Sequence, residues 1–324
     1  MSVDVLSDVL RAVRLTGAVF LTVDATHPWA EQASSTKVSL PIVMPEAEHL
    51  ISFHVVTQGF CYGALDGEKP IRLEAGDVIV FPQGDAHVMS SATGLQAELP
   101  VAPKRPYPQL PFHSISGPGN GKEKSFVVCG FLGCDTRPFN PLLSALPKVI
   151  HVSSKQNPRA IWLNHFVQYA ENECNEKRSG GEVMLSKLSE LLFVEVIRMY
   201  VDTLPPEQTG WLSGLRDSYV GKALSLMHER PAHPWTLEDL AHEIGLSRSV
   251  FAERFTDLVG QPPMQYLAQW RMQIAAGMLV NGSAKVAAVA HEVGYESEAA
   301  FSRAFKKATG VSPAEWGKKR LSLQ

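Results

Sequence analysis

The sequence predicts an α+β multidomain protein with a small N-terminal β-barrel, a helical linker region and an all-α C-terminal domain containing two helix-turn-helix units. Three observations support this fold class. Short runs with alternating apolar side chains, typical of strands, occur in residues 50–95. Apolar side chains at helical spacing follow in residues 159–203. Near the C-terminus one segment occurs twice, which indicates a structural unit encoded twice. The expected domains are 1–155, 156–210 and 211–324.

The N-terminal barrel is predicted from its turns as well as from its strands. The spacing Gly-x5-Pro-x-Gly-x2-His is filled by Gly76, Pro82, Gly84 and His87. Glycine and proline favour the tight turns that join short strands. The spacing resembles the second motif of the cupin barrel, so residues 1–155 resemble a cupin-like sensor domain. A stretch rich in Pro and Gly at residues 94–124 is expected to form a long loop.

Histidines and cysteines of the barrel are the candidates for ligand binding or sensing: His54, His87, Cys129, Cys134 and Cys61. The resemblance implies that a metal-binding barrel adds histidines and a glutamate from a first motif, and only His54 stands at a plausible place. A tight metal site would need Cys129, Cys61 or His113 as a further ligand. We expect no cofactor, no catalytic residue and no resident metal; the alternative metal set is His54, His87 and Cys129. Without a metal, the histidines line a small-molecule pocket or stabilise the barrel.

Cys129 has two interpretations. It lies in an apolar run, residues 126–131, that is typical of a buried strand. A buried cysteine usually behaves as a small, inert hydrophobic residue. The alternative is redox or electrophile sensing by Cys129, with Cys134 or Cys61 as the resolving thiol. The sequence leaves both interpretations open.

The helical linker region consists of two predicted helices, at residues 159–176 and 182–203. The second is apolar over more than one stripe, which indicates two packing partners. Residues 204–210 contain consecutive prolines and are expected to connect the domains.

The C-terminal domain contains the internal repeat. Residues 241–263 recur as residues 290–313. Four residues recur 49 positions later: Ala241, His242, Glu243 and Gly245 as Ala290, His291, Glu292 and Gly294. After one inserted residue, four more recur 50 positions later: Phe251, Phe255, Gly260 and Pro263 as Phe301, Phe305, Gly310 and Pro313. In each copy glycine ends a short helix, because it readily adopts the left-handed conformation. A short helix, a glycine turn and a second helix form a helix-turn-helix unit. The alternative is a helical bundle with a duplicated hairpin.

Capping residues and a connector complete the C-terminal domain. Thr236 and Asp239 form a predicted capping box before the first unit, and Ser247 is placed to cap its second helix. An amphipathic helix over residues 263–280 is expected to join the two units. It would fix the distance between their second helices. A last helix is expected to begin at Pro313.

The C-terminal pattern resembles the AraC/XylS family of bacterial regulators over residues 217–320. The resemblance is carried by Gly294-Tyr295-Glu296-Ser297, Phe301, Phe305, Gly310 and Pro313. It implies a transcription regulator that binds double-stranded DNA and responds to a small-molecule or redox signal. It also implies a homodimer formed by the linker helices; the alternative is that these helices pack on the barrel of the same chain. If the protein is an activator, a contact with RNA polymerase is implied as well.

The resemblance places the expected DNA contacts on the face of each second helix that is opposite the phenylalanines. These positions are Arg248, Ser249, Ala252, Glu253, Glu298, Ala299, Ser302, Arg303, Lys306 and Lys307. Arg303 is suited to a two-pronged contact with guanine, and Glu253 to a cytosine amine. Arg248, Lys306 and Lys307 are suited to phosphates. Two positions are alanine, so part of the specificity is expected from DNA shape.

Net charge and the distribution of apolar residues limit the classes of function that this sequence can have. The net charge is −3, and residues 303–324 form a local basic cluster in which Glu315 is the single acidic side chain. This balance disfavours an architectural DNA protein that binds by charge alone. Neither a secretory signal nor a membrane-spanning apolar stretch occurs, so we expect a cytoplasmic protein. We do not expect an enzyme; the alternative is a metal-dependent cupin enzyme fused to a DNA-binding domain.

Overall fold

The computed structural model describes residues 3–97, 113–153, 160–176, 178–205, 207–280 and 285–321. The chain forms two compact units. The sheet unit comprises Leu15–Cys134 and Leu146–Thr203. The helical unit comprises Met1–Arg14, Asp135–Ala145 and Leu204–Gln324.

The strands of the sheet unit form two sheets. Their bounds are Thr16–Thr26 (β1), Ala30–Ala33 (β2), His49–Gln58 (β3), Phe60–Leu65 (β4), Ile71–Glu74 (β5), Val78–Phe81 (β6), His87–Ser90 (β7), His113–Pro118 (β8), Lys124–Cys134 (β9) and Ile150–Val152 (β10). The six-stranded sheet has the order β10-β6-β3-β9-β1-β8, and the four-stranded sheet has the order β2-β7-β4-β5. β1 and β8 run parallel, whereas the central pairs β1–β9 and β3–β9 are antiparallel.

The two sheets share one apolar core. Alternate side chains of β3, β6 and β9, such as Phe81 and Val127, meet those of β4, β5 and β7, such as Leu73 and Met89. Period-two alternation places these residues on one face of each strand. The strands predicted for the barrel thus form two facing sheets around a filled interior, and among the described strands the two sheets are not joined into a closed barrel.

The glycine motif of the barrel forms turns, as its spacing predicted. Gly76 and Gly84 have φ angles of 92° and 70°, in the left-handed region that favours glycine. A Cβ at Gly84 would also collide with the side chain of Thr36. His49 Nε2 donates a hydrogen bond of 2.7 Å to the carbonyl of Pro82. These contacts fix the chain just before β7, the strand that carries His87.

The helices have the bounds Val5–Ala12 (α1), Thr36–Val43 (α2), Pro141–Ala145 (α3), Ala160–Glu176 (α4), Gly181–Thr203 (α5), Trp211–Arg216 (α6), Ser218–Glu229 (α7), Leu237–Ile244 (α8), Arg248–Val259 (α9), Pro263–Val280 (α10), Val286–Glu292 (α11), Glu298–Thr309 (α12) and Pro313–Leu321 (α13). The two predicted linker helices correspond to α4 and α5. Among the described helices, none combines the length and the apolar composition that crossing a membrane requires.

Helix α5 has the two packing partners that its apolar stripes predicted. It packs on α4 and on β1. Leu185, Phe193 and Val196 are buried in these contacts. At Gly17 of β1 an added Cβ would collide with the carbonyl of Ser186, so glycine permits the close approach of helix and strand.

In the helical unit, α1 and α3 pack with the C-terminal helices. α1 contacts α3, α7 and α10. Gln273 of α10 is buried, and its amide Nε2 donates to the carbonyl of Ala12 at 2.7 Å. Its Oε1 accepts from the backbone N–H of Phe139 at 3.0 Å. One side chain thus satisfies backbone groups from two segments that are distant in sequence, a grouping that no pattern in the sequence indicated.

His228 of α7 lies in the same core. Its ring stacks on Trp270 with a centroid distance of 4.0 Å, and Nε2 lies 2.9 Å from the hydroxyl of Tyr266. Burial lowers the pKa of His228 to about 3. The imidazole is therefore neutral near pH 7 and serves as an aromatic core residue.

Candidate nucleic-acid interface and candidate sensing core

The first helix-turn-helix unit has the caps that the sequence predicted. The Thr236 hydroxyl accepts from the Asp239 N–H at 3.1 Å, and Asp239 accepts from the Thr236 N–H at 3.0 Å, which completes a capping box. Gly245 ends α8 in the left-handed conformation, with φ 76°. Ser247 then caps α9 by accepting from the Val250 N–H.

The second unit repeats this geometry. Gly294 has φ 81°, and an added Cβ would lie 2.5 Å from the carbonyl oxygen of Ala232. Ser297 caps α12 by accepting from the Ala300 N–H at 3.1 Å. Gly310, again left-handed, ends α12. The repeat in sequence is therefore a repeat in structure.

Four phenylalanines anchor the second helices, Phe251 and Phe255 in α9 and Phe301 and Phe305 in α12. All four are fully buried. The ring of Phe305 packs edge-on against Trp316 of α13, at a centroid distance of 5.8 Å. Because these rings point inward, the opposite face of each helix is presented to solvent.

The expected contact positions lie on these outward faces. Arg248, Ser249, Glu253, Glu298, Ala299, Arg303, Lys306 and Lys307 are exposed, and Ala252 and Ser302 are half-buried. Arg248 forms an ion pair with Glu238, with 3.0 Å between Nε and Oε1. In a solvated pair of this kind the arginine is readily available to another anion.

Two further residues of α9 bear on its surface and its packing. Val250 is apolar, yet 47% of its surface is exposed. It precedes Phe251 by one residue, which places it about 100° around the helix from the buried ring. Arg254 is engaged by Asp217, whose Oδ2 lies 3.1 Å from Nε. The sequence reasoning did not identify this pair, which ties α9 to the N-terminus of α7.

In the sheet unit, His54, His87 and Cys129 come together in the core. His54 of β3 and Cys129 of β9 are register partners in the large sheet, and His87 reaches them from β7 of the small sheet. His54 Nδ1 lies 2.9 Å from Cys129 Sγ, and His54 Nε2 lies 2.7 Å from His87 Nε2. The His87 ring also stacks on Phe81, at 3.8 Å.

The hydrogen bonds of this cluster have one consistent direction when both imidazoles are neutral. His87 Nδ1 lies 3.0 Å from the carbonyl of Asp85, which can only accept, so Nδ1 carries the proton. His87 Nε2 must then accept from His54 Nε2–H. His54 Nδ1 is left as an acceptor, and the Cys129 thiol donates to it. The result is a directed chain from thiol to backbone carbonyl.

Burial keeps this chain neutral. Burial, and secondarily the neighbouring His87, lowers the pKa of His54 well below its usual value. Burial lowers the pKa of His87 to about 4. Burial raises the pKa of the Cys129 thiol far above its usual value. Removing a proton to bulk water would leave an unpaired charge in the core.

The alternative metal set does not fit a metal ion. Two nitrogens bound to one tetrahedral zinc lie about 3.3 Å apart, given Zn–N distances of about 2.0 Å. The two Nε2 atoms are closer than this, at hydrogen-bond distance, and Cys129 contacts the other nitrogen of His54. Within the described residues no group of three or more His, Cys, Asp or Glu side chains has a metal-binding arrangement.

The other candidate sensing residues lie elsewhere. Cys61 is buried on β4 and belongs to the same core as Cys129. Cys134 is buried at the end of β9, opposite His49. His113 lies on β8, but its side chain is outside the described part of the chain, as is the central section of the predicted loop 94–124.

A surface cleft of about 510 Å³ lies beside β4, where the sequence indicated no site. It is lined in part by Phe60, Tyr62 and Arg72. The Arg72 guanidinium lies over the Phe60 ring, 4.5 Å from its centroid, and His27 meets the same ring edge-on. The alternation of β4 explains the position, since Cys61 points inward and its neighbours point outward.

Near this cleft His27 lies between Glu123 and Ser125, which is the spatial order of a serine hydrolase triad. The hydrogen bonds, however, do not have the direction that a triad requires. Ser125 Oγ donates to the carbonyl of Phe60 at 2.6 Å. The serine oxygen therefore accepts from His27 Nε2–H, at 2.7 Å. An imidazole that donates to the serine cannot take its proton, so this arrangement is not that of an activated nucleophile.

Comparison with known proteins matches two families. The family described as Cupin matches residues 4–202, and the family described as Helix-turn-helix domain matches residues 240–319. A putative AraC-like transcription regulator from Streptomyces antibioticus is 31% identical over 318 residues, which is 97% of this chain and 98% of that protein. The HTH-type transcriptional regulator AlkR from Acinetobacter baylyi is 26% identical over 97% of this chain and 98% of its own. The DNA-binding domain of AdpA, solved in complex with a target DNA, is 27% identical with a TM-score of 0.32 and covers 33% of this chain and 95% of that one.

Proposed function

The chain belongs to the AraC family of DNA-binding transcription regulators, and we propose that it reads its operator with α9 and α12, held apart by α10. The main observation in support is that both second helices have a serine N-cap, a left-handed glycine C-cap and two buried phenylalanines. Each helix therefore offers an outward face, and two such faces can enter successive major-groove segments about one helical turn apart.

The side chains on these faces divide into two groups. Arg303 and Glu253 have the hydrogen-bonding groups that distinguish guanine and cytosine edges. Arg248, Lys306 and Lys307 are exposed cations suited to phosphates. Ala252 and Ala299 add no polar contact, so DNA shape supplies a share of the specificity.

Selection from a random pool of duplex DNA tests this proposal with the full chain. We expect enrichment of two short boxes whose centres are about 10 base pairs apart, because each box occupies one major-groove segment. Affinity for the enriched site should fall steeply as salt rises. A pool that shows no enriched sequence after repeated rounds would contradict the proposal.

The sheet unit is the sensor in this proposal. A signal that binds or modifies it would shift the population of arrangements able to bind DNA. The cleft beside β4 and the His54–His87–Cys129 cluster are the two candidate places, and they correspond to a small-molecule signal and a redox signal. The fused metal-enzyme alternative has no supporting observation, since the cluster does not have the geometry of a metal site.

We further propose that the protein acts as a cytoplasmic homodimer formed through α5 and α4. Val183, Met184 and Leu191 of α5 are 65%, 43% and 49% exposed, and Tyr169 of α4 is 47% exposed. The three α5 residues lie within about 100° of the helix circumference. Exposed apolar side chains on one face are typical of protein interfaces. If the regulator is an activator, RNA polymerase is a further partner.

A further inference from the structure

We propose that Cys129 is a modification site, oxidised to a sulfenic acid by a small, uncharged two-electron oxidant, with His54 as the base that receives the thiol proton. Hydrogen peroxide is the probe oxidant. The proposed oxidation of Cys129 is supported by the geometry of the cluster alone. Its use as a signal rests on the proposed function of the sheet unit as a sensor.

The cluster distinguishes Cys129 from a neighbouring cysteine in the same core. Cys129 Sγ lies 2.9 Å from an imidazole nitrogen whose lone pair faces it. Cys61 is also buried, with 0% of its surface exposed against 5% for Cys129, yet among the described residues it has no imidazole at hydrogen-bonding distance. Burial raises the thiol pKa of both cysteines, so the imidazole contact is the difference between them. Cys61 is therefore a matched control: a core thiol of the same unit without the base.

Proton transfer inside the cluster avoids an isolated charge. When the thiol proton moves to His54 Nδ1, a thiolate and an imidazolium form side by side, and the site as a whole stays neutral. His54 Nε2–H already donates to His87, and His87 Nδ1–H donates to the Asp85 carbonyl, so the positive charge is stabilised along the chain. A thiolate formed by loss of the proton to water would have no such compensation.

The reaction balances with one oxidant molecule. The Cys129 thiolate attacks one oxygen of hydrogen peroxide, an S–O bond forms and the O–O bond breaks. The leaving hydroxide takes the proton back from His54 and departs as water. Sulfur loses two electrons and the peroxide gains them, so Cys–SH and H₂O₂ give Cys–SOH and H₂O.

The product would disturb the core. Cys129 is 5% exposed and packs in the filled space between the two sheets. An additional oxygen atom must be accommodated there, next to the β3–β9 pairing at His54. Oxidation therefore acts on the large sheet at its central strand pair.

The test is competition labelling of the full-length protein. The reduced protein is treated with hydrogen peroxide in the presence of dimedone, which traps sulfenic acids, and the labelled peptides are quantified by mass spectrometry. We expect Cys129 to be labelled at least about tenfold faster than Cys61. Equal labelling of the two cysteines would overturn the proposal.

The variant His54→Asn tests whether His54 acts as a base or only as a structural contact of Cys129. Asparagine offers an oxygen close to the Nδ1 position but is not a base. Labelling of Cys129 should fall to the rate of Cys61, while the rate of Cys61 stays unchanged, which also reports an intact core. His87→Gln retains an acceptor for His54 and should slow labelling less. Unchanged labelling in His54→Asn would overturn the proposal. DNA selection with the reduced wild-type protein tests the regulator function separately.

Discussion

At the scale of single residues, specificity for DNA is assigned to few side chains. Arg303 is exposed on α12, while Phe301 and Phe305 of the same helix are buried. The helix therefore fixes the point and the direction from which the Arg303 side chain leaves the unit. An arginine that starts from a helix lying in the major groove can reach one base edge, which gives it a way to discriminate bases.

We expect Arg303→Ala to relax the preference at one base pair and to cost about 1–3 kcal/mol of binding free energy. The measurement is fluorescence anisotropy on a panel of operators that differ at single positions. Lys307→Ala is the control and should weaken binding equally on every sequence. If Arg303→Ala behaves like the control, Arg303 contacts a phosphate.

Gly294 and Gly310 provide a second matched pair. Both have φ 81°, but only Gly294 has a backbone oxygen within reach of an added Cβ, that of Ala232 at 2.5 Å. We expect Gly310→Ala to cost about 1–2 kcal/mol of unfolding free energy, from the left-handed backbone alone. Gly294→Ala should cost more. Urea denaturation measures both, and an equal loss would show that the carbonyl of Ala232 moves aside freely.

Helix caps and turns could be predicted from the sequence, whereas contacts between distant elements could not be derived from residue patterns. The capping box at Thr236, the turn glycine at 245 and the cap at Ser247 were predicted, because each depends on residues within one turn of the chain. The contact of His54 with His87 depends on two strands from different sheets. Their separation in sequence does not indicate that they meet, and only the resemblance to the cupin barrel grouped His54, His87 and Cys129 as one set.

At the scale of elements, the two facing sheets bury histidines in the neutral form, which is disfavoured at acidic pH. The folded pKa of His87 is about 4, below the ordinary value of 6.5. The unfolded chain therefore binds a proton more readily than the folded chain does. The contribution of His87 to stability is complete above about pH 6.5 and is lost as pH falls toward 4.

We expect the unfolding free energy to decrease by about 3 kcal/mol from His87 alone between pH 6.5 and pH 4. The pKa values of His54 and His228 are shifted in the same direction, so they steepen the decrease. Denaturant titrations at a series of pH values measure it. His87→Gln has no group to titrate there and should show a shallower slope; a slope equal to that of the wild type would refute the assignment.

Helix α5 shows what amphipathic patterns can and cannot predict. Its two apolar stripes indicated two partners, and the structure contains both, α4 and β1. The exposed Val183 and Leu191 lie outside these contacts. A single sequence cannot tell an apolar residue buried within its own chain from one reserved for a second chain.

At the scale of the whole molecule, the proposed homodimer rests on this exposed surface of α5. We expect the double variant Val183→Glu, Leu191→Glu to shift the protein from dimer to monomer, because charges would be buried at the contact. Mass photometry measures the change. Val38→Glu is the control, since Val38 of α2 is 48% exposed outside the proposed contact. A double variant that keeps the wild-type mass would place the dimer contact elsewhere.

The hydrogen bonds of the Gln273 amide have a consequence for transferring the helix-turn-helix region to another protein. The helix-turn-helix region is recognisable from about residue 217 onward, which invites its use as a transferable cassette. A cut at residue 210 would remove both Ala12 and Phe139, the two partners of the Gln273 amide, and would expose to water the surface of α10 that α1 covers. A chimera that joins this reader to a foreign sensor therefore has to carry α1 and the segment 135–145 with it, and the smallest exchangeable part of this regulator is discontinuous along the chain.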